Sequence, residues 1–265
     1  MSVLLVIPAR HASTRYPGKP LAPLRGATGE SRSLLRRSWD AAREVRGIDR
    51  VVVATEDERI RAHAMSFGAE VVMTSDRPRN GTERCVEAMD LLGDHDLVVN
   101  LQGDAPLTPP WFVEDLVAGL DAAPSMQVAT PVLRMEGAAL TGFLEDRREG
   151  RVGGTTAVFG TDRRALYFSK EVVPYTGRPY APREPTPVFH HVGVYAYRPG
   201  ALRAYAAREP GPLETLEGLE QLRFLEHGIP VLCVEVEARG REFWELNNPS
   251  DVPRIEAMMA TMGMP

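Results

Sequence analysis

Four short apolar runs, Val3 to Ile7, Val51 to Ala54, Glu70 to Met73 and Leu97 to Leu101, follow one another with a stretch of helical period between each pair. Those stretches are Leu34 to Val45, Glu58 to Phe67 and Thr82 to Leu92, and Trp111 to Leu120 followed by Met126 to Val132 extends the series. A strand that is apolar on both faces, rather than alternating, belongs inside a sheet covered by helices on either side. Repeated βαβ units of this kind specify an α/β fold with a mostly parallel sheet. The punctuation agrees: Gly68 fits a helix stop before a strand, and Pro109 and Pro110 fit a helix start.

The second half of the chain is less regular. Glu136 to Gly154 is rich in charge and glycine and reads as a loop or insertion. Thr155 to Phe159, Ala165 to Ser169 and His190 to Tyr197 read as strands of a smaller, partly antiparallel region. Pro174 to Pro187 holds five prolines and reads as a long connection. Helices are expected over Ala201 to Arg208 and Leu216 to His227, a strand over Val231 to Val236, and a last helix from Pro249 with Asn248 as its N-cap.

Composition excludes more than it assigns. With 265 residues, 43% of them hydrophobic, the chain can bury a full core. A net charge of -5 argues against a nucleic-acid or anionic-membrane surface, so any basic cluster implies a local anion. Cys85 and Cys233 are far apart and belong to no CxxC or Cys/His cluster, which points to buried thiols rather than a metal or redox site. No apolar stretch is long enough for a membrane span, and the first run is too short for a signal peptide, so a cytoplasmic location is expected.

Such a basic cluster follows the first apolar run. Pro8-Ala9-Arg10-His11-Ala12-Ser13-Thr14-Arg15-Tyr16-Pro17-Gly18-Lys19-Pro20 sets Arg10, Arg15 and Lys19 among small and turn-forming residues, so that backbone and cations can both approach a ligand. On a loop leaving the carboxyl end of a parallel strand, this is a way to hold a triphosphate. A second polar tip ends the run at Leu97: Asn100-Leu101-Gln102-Gly103-Asp104. Asp104 is placed to hold Mg²⁺, an ion that takes one or two protein carboxylates and keeps the rest of its shell as water and phosphate, with Gly103 leaving room. No GxxxxGK[ST] motif is present, which argues against a P-loop enzyme. Cations, a metal carboxylate and no need of a protein nucleophile fit nucleotidyl transfer.

With Gly81-Thr82-Glu83-Arg84, Tyr167-Phe168-Ser169, His191-Val192-Gly193-Val194-Tyr195, Pro212-Leu213-Glu214 and Leu219-Glu220-Gln221-Leu222-Arg223, these motifs resemble in order, over nearly the whole chain, those of the 3-deoxy-manno-octulosonate cytidylyltransferases (CMP-Kdo synthetases). The resemblance implies a Rossmann-like, glycosyltransferase-A-type nucleotidyltransferase fold with a smaller mixed α+β subdomain. It implies one domain over 1–265, with a CTP-binding half at 1–132 and a sugar-acid-binding and dimerisation half at 133–265. It further implies a homodimer, CTP with Mg²⁺, a 2-keto-3-deoxy sugar acid whose hydroxyl attacks the α-phosphate, and a place in lipopolysaccharide biosynthesis.

Carried over by position, Ala9, Arg10, Ser13, Arg15, Lys19 and Gln102 would bind the nucleotide, with Arg10, Lys19 and Asp104 catalytic. The sugar acid would meet Arg84, Gln102, His191, Tyr195, Glu220 and Gln221. The chain departs from the family pattern at Ala105, Thr156 and Lys170, and at Asn247, which stands where the family has a second metal carboxylate. Those departures keep two alternatives open: a cytidylyltransferase for another ulosonic acid or a phosphonate, and a weakened CTP-binding paralogue.

Overall fold

The computed structural model describes residues 1–12, 16–93, 95–152, 154–241, 244–246 and 248–265. By its contacts the chain forms two compact units, Met1–Glu114 with Ala238–Pro265, and Asp115–Glu237. The C-terminal segment thus belongs with the N-terminal unit, and the strand expected at the end of a 1–132 half belongs with the other.

The first unit begins with β1 (Val3–Pro8), a small antiparallel hairpin of β2 (Pro23–Arg25) and β3 (Ser31–Ser33), and α1 (Leu34–Arg43). Then come β4 (Arg50–Thr55), α2 (Glu58–Ser66), β5 (Val71–Met73), α3 (Gly81–Leu92), β6 (Leu97–Leu101) and α4 (Pro110–Ala122), within which the chain passes to the second unit. Each of α1, α2 and α3 starts at a side-chain cap: Ser33, Asp57 and Asn80 accept from the backbone N–H groups of Arg36, Arg59 and Glu83. The sheet runs β5-β4-β1-β6, every pairing parallel. After β1 the chain builds outward to β5, then returns to lay β6 on the other side of β1. That reversal makes the carboxyl ends of β1 and β6 a topological switch point, where open α/β sheets bind ligands. All five residues of β6 are buried, as expected of a strand covered on both faces.

In the second unit, β7 (Val128–Glu136) is the axis, followed by α5 (Gly137–Arg148), β8 (Thr155–Phe159), β9 (Ala165–Ser169), β10 (Pro185–His191) and β11 (Val194–Tyr197). Helices α6 (Pro199–Ala206), α7 (Pro212–Glu217) and α8 (Leu222–Glu226) lead to β12 (Val231–Val236). β12 lies parallel along one flank of β7, whereas β11 and β10 share the other flank antiparallel, and β8 and β9 continue the sheet beyond β10. After β12 the chain returns to the first unit with α9 (Val252–Thr261), whose Ile255, Met258 and Met259 pack with Leu24, Leu34 and Leu246.

Three expectations are corrected here. Residues 136–154 are not a loop: most of them form α5, whose Leu140 and Phe143, one turn apart, pack with Met135 and Val188. Its first residue is glycine because a Cβ there would fall 2.1 Å from the Ala181 carbonyl oxygen. The strand expected over His190 to Tyr197 is two strands, broken where Val194 N–H turns back to the Val192 carbonyl. The single helix expected over Leu216 to His227 is also two, α7 and α8, because Gly218 caps α7 in the left-handed conformation at φ 61°. Leu216, at the start of the expected helix, is 81% exposed.

Candidate active site

In the first unit the loop leaving β1 is closed at its base by backbone hydrogen bonds from Gly18 to His11 and from Lys19 to Tyr16. Gly18 takes φ 71°, a left-handed turn that aims the chain into a 3-10 turn at Lys19–Leu21. Ala9 is buried and Arg10 is exposed. Ser13, Arg15 and Asn247, assigned above to the nucleotide and the metal, lie outside the described residues.

Lys19 Nζ lies 2.7 Å from Asp104 Oδ2, with side chains 16% and 26% exposed. The two cation and metal candidates, 85 residues apart in sequence, therefore meet at the switch point as an ion pair. Gly103 has a tighter purpose than leaving room for an ion, since a Cβ there would stand 2.9 Å from the Pro8 carbonyl oxygen at the end of β1. The N–H of Leu246, the residue before Asn247, donates to the carbonyl of Asp104. Ala105, one of the departures from the family pattern, is buried in this turn.

Asp104 fits a Mg²⁺ ligand by the chemistry of its surroundings. Among the described residues no group of three His, Cys, Asp or Glu side chains could hold a metal ion by itself. A single carboxylate beside a lysine suits an ion whose other ligands come from a bound anion and water.

Arg84 sits on α3, buried, in an ion pair of 2.7 Å with Glu56 and hydrogen-bonded to the Thr74 hydroxyl. Burial lowers its pKa and Glu56 opposes that shift. Its guanidinium thus ties the carboxyl-end loops of β4 and β5 to α3. At the start of α3 the amide of Gln102 comes against Gly81, where a Cβ would fall 2.8 Å from Gln102 Nε2. Sequence reasoning missed Asn100, fully buried near the end of β6 with neither amide atom hydrogen-bonded. An unsatisfied buried amide at a strand's carboxyl end is where a water or ligand atom is wanted; an Asn within an otherwise apolar run was its signal.

The second unit brings His191, Tyr195 and Gln221 together. The Thr130 hydroxyl gives its one proton to the carbonyls of Val194 and Val192, at 2.9 and 3.2 Å, so it must accept from His191 Nε2 at 3.0 Å. His191 Nδ1 then accepts, from Thr155 at 3.0 Å and more distantly from Gln221 Nε2 at 3.5 Å, while Gln221 Oε1 accepts from Tyr195 at 3.1 Å. These bonds assign His191 as the neutral Nε2–H tautomer. Burial, reinforced by His190, pushes its pKa down to about 3. Phe168 packs edge-on against the ring, centroids 4.9 Å apart. Glu220 lies in the turn between α7 and α8, next to buried Gln221.

Two motif residues have a structural task. Glu214 and Arg223 form a buried two-point ion pair, at 2.6 and 2.7 Å, with Arg223 stacked 3.9 Å over the Tyr205 ring. Thr156 hydrogen-bonds the Glu171 carbonyl at 2.7 Å and is fully buried.

A family model described as cytidylyltransferase matches residues 4–232. The chain belongs to the cytidylyltransferase family. It is 45% identical, over 99% of both chains, to the 3-deoxy-manno-octulosonate cytidylyltransferase of Maricaulis maris (strain MCS10). It is 38% identical, over 98% of this chain and 99% of the other, to the 8-amino-3,8-dideoxy-manno-octulosonate cytidylyltransferase of Shewanella sp. (strain W3-18-1). Among solved structures it is similar to a CMP:2-keto-3-deoxy-manno-octonic acid synthetase complexed with CTP, with TM-score 0.83 and 31% identity, covering 99% of this chain and 100% of that one. This cytidylyltransferase is therefore a nucleotidyltransferase of the CMP-Kdo synthetase kind, with the α/β nucleotidyltransferase fold expected from its motifs. No helix among the described residues is long and apolar enough to cross a membrane.

Proposed function

We propose that this cytidylyltransferase couples CTP to 3-deoxy-manno-octulosonate or its 8-amino-3,8-dideoxy counterpart, giving the CMP-sugar and pyrophosphate as a Mg²⁺-dependent homodimer. The observation that carries the reading is the Lys19–Asp104 pair at the switch point of a parallel sheet. In this reading Lys19 is the phosphate-binding cation and Asp104 the metal-binding carboxylate, and their pairing supports a working enzyme over a paralogue that has lost its chemistry. The acceptor rests on likeness: the relative at 45% identity is named for the 8-hydroxy acid, and several at 38% for the 8-amino acid.

In this reading Arg10 and Lys19 take the triphosphate, with Ser13 and Arg15 as further donors. They neutralise the charge that grows on the departing pyrophosphate, a contribution made mainly in the transition state. Asp104, with Asn247 as a neutral second donor, would hold Mg²⁺, which when bound polarises the α-phosphate and lowers the pKa of an oxygen beside it. Within the second unit the acceptor is held through the neutral hydrogen-bonding groups of His191, Tyr195 and Gln221, with Glu220 beside them. A neutral His191 can orient a hydroxyl but is a poor proton store at neutral pH.

Pyrophosphate release from CTP with a panel of acceptors tests the proposal: the two octulosonic acids, a nine-carbon ulosonic acid and a phosphonate. Turnover with either octulosonic acid and CTP is expected. Preference for the nine-carbon acid or the phosphonate would overturn the acceptor assignment, and equal use of ATP, GTP or dTTP would remove the cytidylyl assignment.

A further inference from the structure

The walls of the acceptor cluster are two segments of the second unit, the end of β9 and the turn between α7 and α8. One carboxylate spans them. Glu217, the last residue of α7, accepts from the Ser169 hydroxyl at 2.7 Å and the Tyr167 hydroxyl at 3.2 Å through Oε1, and from the Lys170 N–H at 2.9 Å through Oε2. All three donors are neutral. In one direction Glu217 fixes Ser169 and so the neighbouring Phe168, whose ring lies against His191. In the other, four residues along the chain, stands Gln221, which meets Tyr195 and His191. Between them Gly218 takes its left-handed turn with its N–H on the Glu214 carbonyl, so the path from carboxylate to amide is short and bent.

We propose that Glu217 is the positioning residue of the acceptor site, setting the spacing between the Phe168–Ser169 wall and the Gln221 wall on either side of His191. The proposal rests on the acceptor reading given above. Its chemistry separates geometry from charge. A glutamine at this position can point its oxygen at the Lys170 N–H and donate through its amide to the two hydroxyls, both of which have lone pairs free to accept. Glu217→Gln therefore preserves the bridge without the charge, whereas Glu217→Ala removes both.

Two measurements on the full chain decide it. In steady-state kinetics with CTP saturating and the octulosonic acid varied, Glu217→Ala is expected to raise the acceptor KM at least about tenfold while kcat and the KM for CTP stay within about threefold, the split expected when binding geometry alone is lost. Glu217→Gln should return the acceptor KM to within about threefold of wild type. In hydrogen exchange without substrate, Glu217→Ala should speed the amides of 168–170 and 218–222 together and leave 97–101 unchanged. Should the alanine variant fail to fold, the Ser169→Ala, Tyr167→Phe double variant removes two of the three donors and is expected to raise the acceptor KM in the same way. An unchanged KM in the alanine or the double variant, a glutamine variant as impaired as alanine, or exchange that quickens in one segment only would overturn the proposal. If the wild type turns over neither octulosonic acid, the acceptor reading falls and the exchange result alone decides the positioning role.

Discussion

In the first unit two cations near the carboxyl ends of the strands are each held beside a carboxylate, Lys19 with Asp104 and Arg84 with Glu56. In the second unit the groups around His191, namely Thr130, Thr155, Tyr195 and Gln221, carry no charge and are held in a chain of hydrogen bonds. The contrast follows from what each would bind. An anionic ligand, triphosphate or carboxylate, needs full cations, and keeping each cation beside a carboxylate avoids the penalty of a part-buried, unpaired charge. A polyhydroxylated ring is read by donors and acceptors, and a buried polar group left unpaired by the wrong ligand is the stronger discriminator.

The largest test of this contrast compares charge deletion in one unit with polar deletion in the other. Lys19→Ala is expected to lower turnover at least about 10²-fold, as typical for losing a group that stabilises transition-state charge. Asp104→Asn should abolish Mg²⁺-dependent turnover and weaken Mn²⁺ binding to the CTP-loaded protein. Each also takes a partner from a charge whose pair is only 16% and 26% exposed, so a loss of about 1–3 kcal/mol in urea unfolding is expected beside the loss of turnover. By contrast, Tyr195→Phe should act chiefly on the acceptor KM, by about tenfold, since it removes one hydrogen bond from a neutral network. A larger fall in turnover from Tyr195→Phe than from Lys19→Ala would break the comparison.

The two units also differ in how much of them could be read in advance. In the first, the runs Val3 to Ile7 and Leu97 to Leu101 match β1 and β6 to within a residue, because a strand buried on both faces is one unbroken apolar word bounded by turn residues. Lys19 and Asp104, on the loops that leave those two strands, stand out in the sequence, and the structure pairs them. In the second unit, α5 was hidden by its glycines and its charged last turns, although what holds it is non-local packing on Met135 and Val188. The break at Gly218 lay inside a leucine pattern of helical period, which outweighed a single glycine. Glu217, Thr130 and Thr155 gave no local signal, since each is defined by partners on other strands or helices. Local pattern reveals strands that end at a site; it does not reveal the network that sets a site's width.

A middle-sized effect tests the neutrality of the second unit's cluster. His191 is held down to about 3 and His190, less enclosed and near Arg147, to about 4. The unfolded chain binds these protons below about pH 6.5, while the folded chain does not. Stability should therefore be full above pH 7 and fall as the pH drops from about 6.5 toward 4, by about 2 kcal/mol at pH 5 from His191 alone. Urea unfolding at pH 7.5 and pH 5 measures this. His191→Gln should be less stable at both values yet lose about 2 kcal/mol less between them. Parallel pH dependences would show that His191 is not buried in its neutral form.

The smallest expected effect sharpens the charged side of the comparison. By the motif resemblance Asn247 takes the place of a carboxylate, and it follows Leu246, whose N–H donates to the Asp104 carbonyl. If the charge on this side is one unit short of the family's, Asn247→Asp should lower the Mg²⁺ concentration for half-maximal turnover about threefold to tenfold, because hard cations bind more tightly as ligand charge rises. Asn248→Asp is the control. Its backbone N–H donates to Asp251 at 2.7 Å in a reciprocal cap of the turn at Pro249–Asp251, so an added carboxylate there acts on the chain end and should leave the Mg²⁺ requirement within twofold. Equal shifts in the two variants would mean that general electrostatics is being read. No shift in either would place Asn247 away from the metal and leave Asp104 as the protein's one carboxylate ligand among the positions considered, with the neutral amide belonging to another contact.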